Sequence, residues 1–343
     1  MRAALYEVFG DVDVLEVREV PDPTPGPGEV LIEIGATSVN HLDVLQRRGP
    51  GLLPGFSLPH IAGMDVMGTV VAVGEGCAPI DMGTRVLVDP ALTCGECEQC
   101  RAGRDGFCGS TRVVGASAPG GYAELCAVPR VNVYPVPDLV TDVEAATIPT
   151  VYSTAWLGLV VTGGLQSDDT VLVHGAGSGV TSAAVQIAKR RGARIVVTGR
   201  SAAKLEHALK LGADEVIDST KSDIPAQVRA LTGGRGADLV FDHVGPALFQ
   251  PSLLALGTEG RMAFCGTTTG GSAEFNLGHA YHMGISLLGV RPYHHADFAL
   301  MLDEVLGAGF ASIVDTEMSL DEVGEAHRRV EAGTVAGKLV LVP

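Results

Sequence analysis

From Thr141 onward the apolar positions keep changing period, from the i, i+3, i+4 spacing of a half-buried helix to short unbroken β-branched runs. The pattern predicts a helix ending about Gly163, a strand over 170–174, a helix over 180–191, a strand over 194–198 and a helix over 202–211. It continues with a strand over 215–217, a helix over 224–231, a strand over 239–242, a helix over 247–256 and strands over 261–264 and 286–289. Such alternation specifies an α/β fold built on a doubly wound parallel sheet. Before Thr141 the pattern differs. β-like runs at Val12 to Val20, Val30 to Ile34, Gly68 to Gly76 and Thr84 to Asp89 are separated by turns, and Pro21, Pro23, Pro25 and Pro27 forbid helix between the first two. This predicts a mostly β, barrel-like domain with irregular loops. After residue 289 come helices over 296–307 and 320–332 and a final strand over 337–342, a tail expected to return to the first domain.

The 343 residues leave room for two hydrophobic cores. A net charge of −16 argues against nucleic acid or an anionic membrane as partner, since their phosphates would be repelled. Met1 to Glu7 lacks an apolar signal core, and no run approaches the roughly 18 apolar residues of a membrane span. A cytoplasmic location is therefore expected. That compartment decides how the cysteines are read, because four of the seven crowd between Cys94 and Cys108. Without an oxidising environment, metal binding is the better reading than a disulfide framework. The C-x2-C-x2-C-x7-C spacing of Cys94, Cys97, Cys100 and Cys108 suits four thiolates closing a tetrahedron about one structural Zn²⁺ per subunit. Such a site has no open position, so it would fix a loop and not catalyse. Cys77, Cys126 and Cys265 are read as small core residues.

Nucleotide chemistry enters where strand 170–174 meets the next helix. Gly175, Gly177 and Gly179 would let backbone N–H groups approach a pyrophosphate, and the helix opened by Ser178 and Val180 adds the positive end of its dipole. In a unit that binds NAD, an acid stands about 20 residues on, at the end of the second strand. Here that strand runs out into Arg200 and Ser201, with Lys204 one turn further, which suits a 2′-phosphate and predicts NADPH. Asp242-His243-Val-Gly245 and Phe264-Cys-Gly266-Thr267 end two parallel strands at the rim where such sheets bind ligands. His243, Gly266 and Thr267 are further cofactor candidates.

With these pieces in order, the chain resembles the medium-chain dehydrogenase/reductase superfamily over nearly its whole length. The matching pieces include Val39-Asn-His-Leu-Asp43, Leu58-Pro-His-Ile-Ala-Gly-Met-Asp65, the cysteine cluster, Gly120-Gly-Tyr-Ala-Glu124, the glycine turn, Leu211-Gly-Ala-Asp214 and Gly337-Lys-Leu-Val-Leu. The resemblance implies a GroES-like β-barrel catalytic domain over residues 1–151 and 291–343, and a Rossmann NAD(P)-binding domain over 152–290. It further implies an active site in the cleft between them, a small-molecule substrate, and edge pairing of Rossmann sheets into a homodimer, or a tetramer of two such dimers. Thr154 and Lys338 would reach the nicotinamide ribose and the pyrophosphate.

In zinc alcohol dehydrogenases of this superfamily, a cysteine begins the segment matching Asn40-His-Leu-Asp43, and a Gly-His-Glu motif supplies the next ligand and a neighbouring acid. Here those places read Asn40, Met64 and Asp65, and Thr150 stands where many members place a third ligand. Amide, thioether and hydroxyl are poor Zn²⁺ ligands, so no catalytic zinc is expected, although His41, His60 and Asp65 could in principle assemble a displaced site. Bound Zn²⁺ can lower an oxygen pKa from about 15.7 to about 7, on the order of 10 kcal/mol of charge stabilisation, and alcohol oxidation would be slow without it. Hydride addition to a quinone or an enone instead leaves charge on a delocalised oxygen that hydrogen bonds can stabilise. Asn40 is the candidate donor. Zinc-free quinone oxidoreductases and enoyl reductases resemble the chain there, except that their following aromatic is Leu45 here. Asp43 and Asp65 are candidate catalytic residues, and His41 and Tyr152 are candidate proton donors. The expected function is an NADPH-dependent reductase of quinones or α,β-unsaturated carbonyls. The alternatives are a zinc-dependent alcohol dehydrogenase with unconventional ligands, or a cofactor-binding protein with little turnover. Loops Gly49 to Phe56 and Gly270 to His282 are expected to shape the substrate pocket.

Overall fold

The computed structural model describes residues 1–51 and 53–343. Leu52, in the loop Gly49 to Phe56, lies outside the described residues, as does the side chain of Ala308. The chain divides into two compact units, Met1–Thr150 with Tyr293–Ala308 and Ser312–Pro343, and Val151–Pro292 with Gly309–Ala311.

The first unit is GroES-like and mostly β. Its largest sheet orders strands Val133–Pro135, Arg85–Val88, Asp65–Val73, Glu29–Ser38, Lys338–Val342 and Val314–Ser319, with Leu125–Pro129 also paired to Glu29–Ser38. Alternation fixes which face is buried: Val30, Ile32 and Ile34 point inward with Val66, Val70, Val86 and Val128. The last strand, Lys338–Val342, pairs back onto Glu29–Ser38 with Val340 opposite Ser38, so the tail completes the first unit's sheet. A second sheet joins Glu16–Glu19, Arg2–Tyr6 and His60–Ile61.

The second unit holds a six-stranded sheet ordered Glu215–Asp218, Arg194–Gly199, Thr170–His174, Ala237–Asp242, Leu256–Phe264 and Ser286–Gly289, with every pairing parallel. This is the Rossmann order, and the central strand Thr170–His174 is buried throughout, as its β-branched run requires.

Three expectations need correction. Val12 to Val20 is not one strand: Val14 N–H bonds the Asp11 carbonyl and Leu15 N–H that of Val12, making a 3-10 turn at Val12–Val14 before strand Glu16–Glu19. Val14, Leu15 and Val17 thereby pack together on the cluster formed by Val323 and Ala326. The loop Gly270 to His282 contains a helix, Leu277–Met283, whose start is capped by Asn276 accepting from His279 N–H at 2.9 Å and whose end is Gly284 in the left-handed region. Of the three cysteines read as core residues, Cys126 is buried, whereas Cys77 is half-buried and Cys265 exposed.

Candidate functional site

Strand Glu29–Ser38 delivers the chain to Asn40, which caps helix His41–Arg48. Strand Asp65–Val73 pairs with it so that Ser38 lies opposite Asp65. This register assembles a buried polar centre in the first unit. Asp65 Oδ2 accepts from Ser38 Oγ at 2.5 Å, Asn40 Nδ2 at 2.8 Å and Lys338 Nζ at 3.2 Å, while its Oδ1 accepts from Thr150 N–H at 2.8 Å. Lys338 Nζ also donates to Val39 O at 2.9 Å and Asn40 Oδ1 at 2.6 Å. All three donors of the ammonium are engaged, and Lys338 is 3% exposed. No ammonium donor of Lys338 is left for the pyrophosphate that the resemblance assigned to it. Its charge is matched to Asp65, which is fully buried.

A catalytic metal does not fit this donor set. Asp65, the carboxylate that accepts from the Asn40 amide, already holds an ammonium, and a divalent ion beside it would face like charge at close range. Met64, buried nearby in the chain, offers only a thioether. The displaced site is not assembled either: His60 Nε2 bonds the Gly115 carbonyl at 2.9 Å with its ring among Tyr6 and Phe56, whereas His41 is exposed at the first position of its helix. Burial lowers the His60 pKa, as befits a neutral structural histidine.

Asp43 lies on the other side of Asn40, whose backbone N–H it accepts at 2.8 Å. Burial pushes this carboxyl up to about 7, against the pull of that N–H and of Lys338. Tyr122 Oη donates to it at 3.1 Å, His327 Nε2 lies 3.3 Å from Tyr122 Oη, and Arg47 Nε donates to His327 Nδ1 at 3.4 Å. Because arginine can only donate, Nδ1 accepts and the proton of the neutral His327 ring is on Nε2. Arg47 is itself buried against Glu331. Sequence reasoning missed this chain, since Arg47 and His327 lie 280 residues apart. Tyr152 belongs to the second unit, 1% exposed, with its hydroxyl accepting from Gln186 Nε2 at 3.0 Å and its ring against Phe310. Burial raises its pKa further. Tyr152 therefore packs within the second unit, its hydroxyl buried on Gln186, and is not placed as the expected proton donor.

The four cysteines converge in the first unit. All four Sγ atoms lie within 4.8 Å of one another, with Cys97 to Cys100 and Cys94 to Cys108 at 3.5 Å and Cys94 to Cys100 at 3.9 Å. Zn–S bonds of about 2.3 Å imply tetrahedral edges of about 3.8 Å, so the donor set fits Zn²⁺. Backbone N–H groups of Cys94 and Cys97 point at the sulfurs of Cys108 and Cys94. The Cys94 N–H is the main reason the Cys108 thiol is pushed down to about 6. Among the described residues, no other group of three His, Cys, Asp or Glu side chains is placed to hold a metal.

In the second unit, Gly175 and Gly177 lie between strand Thr170–His174 and helix Gly179–Arg190. Ser178 caps the helix by accepting from Val180 N–H at 3.2 Å. A Cβ on Gly177 would stand 2.4 Å from Lys204 Cδ, so the Lys204 stem lies over the turn. Arg200 and Ser201 are exposed at the end of strand Arg194–Gly199. Thr181 Oγ1 donates to the His174 carbonyl at 2.6 Å, and His243 Nε2 reaches the same carbonyl at 2.9 Å, so His243 braces the turn. Gly266 packs so close to the His243 backbone that a Cβ would stand 1.9 Å from it. Thr267 is exposed beside it, and Thr154 is half-buried in helix Pro149–Trp156. Glycine turn, small-residue helix start and cation-flanked second strand together fit a dinucleotide.

Fold and site thus define a two-unit oxidoreductase with a nucleotide-binding sheet and a thiolate zinc lobe. Residues 179–307 match the family described as zinc-binding dehydrogenase, and residues 26–138 the alcohol dehydrogenase GroES-like domain. The chain is 31% identical to the NAD-dependent alcohol dehydrogenase of Sulfolobus acidocaldarius, over 99% of each. It is 29% identical to the acryloyl-coenzyme A reductase of Metallosphaera sedula, over 97% of this chain and 98% of that one. A crystal structure of an NAD-dependent alcohol dehydrogenase superposes with a TM-score of 0.95 at 39% identity, covering 100% of both chains. The chain belongs to the medium-chain dehydrogenase/reductase superfamily, in its zinc-type alcohol dehydrogenase-like branch. Among the described residues no helix is long and apolar enough to cross a membrane.

Proposed function

We propose that the protein is an NADPH-dependent reductase that transfers hydride to a quinone or an α,β-unsaturated carbonyl without a catalytic metal. The observation that carries this reading is the centre made by Lys338, Asn40 and Asp65, where an ammonium holds the acid and amide that a metal would need. Gly175, Gly177, Ser178, Gly179 and Val180 would cradle the pyrophosphate, and Arg200, Ser201 and Lys204 the 2′-phosphate. When bound, the dihydronicotinamide supplies the hydride. Asn40 has one N–H on Asp65 and the other 3.5 Å from the Ser38 carbonyl, a weak contact that leaves it available to a developing enolate oxygen. The relative named acryloyl-coenzyme A reductase supports an activated alkene as acceptor.

The relatives named NAD-dependent alcohol dehydrogenase favour a second reading, alcohol oxidation with NAD and zinc. One experiment separates the two: metal analysis with turnover on an enone and quinone panel, using each cofactor. About one zinc per subunit and preference for NADPH support the reductase. Two zincs, or equal use of NADH, would sink it. Tight NADPH binding without turnover on that panel would instead favour a binding protein. A cytoplasmic setting belongs to this reading, because the zinc lobe needs reduced thiols. So does a dimer: strand Ser286–Gly289 is the sheet's edge, pairing only with Leu256–Phe264 among the described strands, and a second copy is the proposed partner for its open side.

A further inference from the structure

Strand Arg85–Val88 pairs with Asp65–Val73 with Met67 opposite Leu87 and Gly68 opposite Val86. Carried two residues further, this register brings Asp89 level with Asp65 on the same face of the sheet. Asp89 is fully buried and accepts from His295 Nδ1 at 2.5 Å, from Tyr293 Oη at 2.6 Å and from Ala91 N–H at 3.0 Å. The Tyr293 phenol is pushed far up, mainly by burial and by Asp89, with a further contribution from Asp65. The other ring nitrogen, Nε2, lies 3.2 Å from Thr93 Oγ1 and 3.6 Å from Asp105 Oδ2, and the side chain is 24% exposed. A carboxylate fixes the tautomer, a hydroxyl lines up the opposite nitrogen, and solvent can reach the ring. This is the arrangement of an acid–base histidine.

We propose that His295, oriented by Asp89 and Tyr293, is the catalytic acid that supplies the proton accompanying hydride transfer. The inference rests on the reductase reading above. A bound dihydronicotinamide would supply hydride with its electron pair to the β-carbon and be oxidised in doing so, and the enolate left on the substrate would then need one proton. The Nε2–H bond of His295 then breaks and its proton goes to the α-carbon. The neutral ring regains a proton from water. Thr93 Oγ1 can accept from Nε2–H before the transfer and donate to Nε2 after it. Asp89 and Tyr293 act through His295 and are positioning residues.

The groups facing the ring favour its protonated form. Burial alone would lower the His295 pKa, but the hydrogen bond and charge of Asp89, with Asp105 behind, raise it overall. Asp105 Oδ2 lies 3.6 Å from Nε2 and accepts the His295 backbone N–H at 3.0 Å. His294 Nδ1 accepts from Gly106 N–H at 3.0 Å and lies 3.8 Å from Asp105, and Tyr134 senses both Asp89 and Asp105.

The test uses the full-length zinc-loaded protein and its His295→Gln variant, with NADPH and an enone. The variant should lose about 10²-fold or more in kcat, with NADPH affinity and zinc content unchanged. The wild-type kcat should fall as pH rises through the raised His295 pKa, above the ordinary value of about 6.5. Retention of kcat within about threefold of wild type would overturn the assignment. If wild type itself reduces neither enone nor quinone, the reductase reading falls and this inference with it. Should the variant not fold, NMR titration of His295 in the cofactor-free wild type and Asp89→Asn decides. A midpoint above about 6.5 that drops in Asp89→Asn supports the pair, and equal midpoints overturn it.

Discussion

Lys338 Nζ donates to Asn40 Oδ1 at 2.6 Å across 298 residues of chain, tying the last strand to the cap of the first helix. The same ammonium neutralises Asp65 in a place sealed from water. Removing one member of such a pair leaves the other charge buried alone. Lys338→Met is therefore expected to destabilise the first unit by about 3–5 kcal/mol, read as a lower denaturant midpoint. Lys338→Met with Asp65→Asn should recover much of that loss, because the stranded charge is gone. A single variant as stable as wild type would show that the pair is not held as described.

On the proposed NADPH reading, cofactor choice turns on Arg200 and Lys204, which stand where an acid would select NAD. A charge-assisted contact is worth about 1.5–3 kcal/mol, so Arg200→Asp should raise the KM for NADPH about ten- to a hundredfold and improve that for NADH. Lys204→Ala, whose stem lies over Gly177, should act in the same direction with a smaller effect. Steady-state kinetics with both cofactors checks this. An unchanged NADPH KM in both variants would make the two residues ordinary surface cations.

What could be read from the sequence was what is local or periodic. The helix–strand alternation after Thr141 foretold the Rossmann sheet because a buried parallel strand must be apolar on both faces. The cysteine spacing foretold a cluster because its four members share one loop. Partnerships across the chain were not legible. Nothing near Lys338 announces Asn40, and resemblance sent it to a pyrophosphate instead. Nothing near Tyr122 announces His327, nor near Asp89 announces His295. The helix His41–Arg48 escaped notice although Asn40 and Asp43 stand at cap and third-residue spacing, a signal that could have found it. The same holds for Asn276 and Gly284 around helix Leu277–Met283.

The zinc lobe makes a separate prediction, because its thiolates belong to neither the Asn40 centre nor the glycine turn. Cys108→Ser should reduce zinc from about one per subunit to near zero and lower Tm by about 5 °C or more. Elemental analysis and a thermal melt check this together. Loss of zinc with an unchanged melt would deny the cluster its role in holding the loop. Full zinc retention in the variant would place the metal elsewhere.

Acid sensitivity follows from His174 in the second unit. The ring is fully buried at the end of the central strand, with Nδ1 at 2.8 Å from Thr198 Oγ1 and Nε2 at 2.7 Å from Ser252 Oγ. Burial pushes its pKa down to about 4 from the ordinary 6.5. Below about pH 6.5 the unfolded chain therefore takes up a proton that the folded chain refuses. The stability this histidine contributes is complete above the unfolded value and is lost as pH falls toward the folded one. The loss is on the order of 3 kcal/mol by about pH 4. His327 in the first unit, held down to about 3 by burial and Arg47, acts in the same direction. Urea midpoints measured between about pH 7.5 and pH 4.5 should fall for wild type, and fall less steeply for the second unit's transition in His174→Gln. A slope unaltered by that substitution would mean His174 is not the buried neutral ring described.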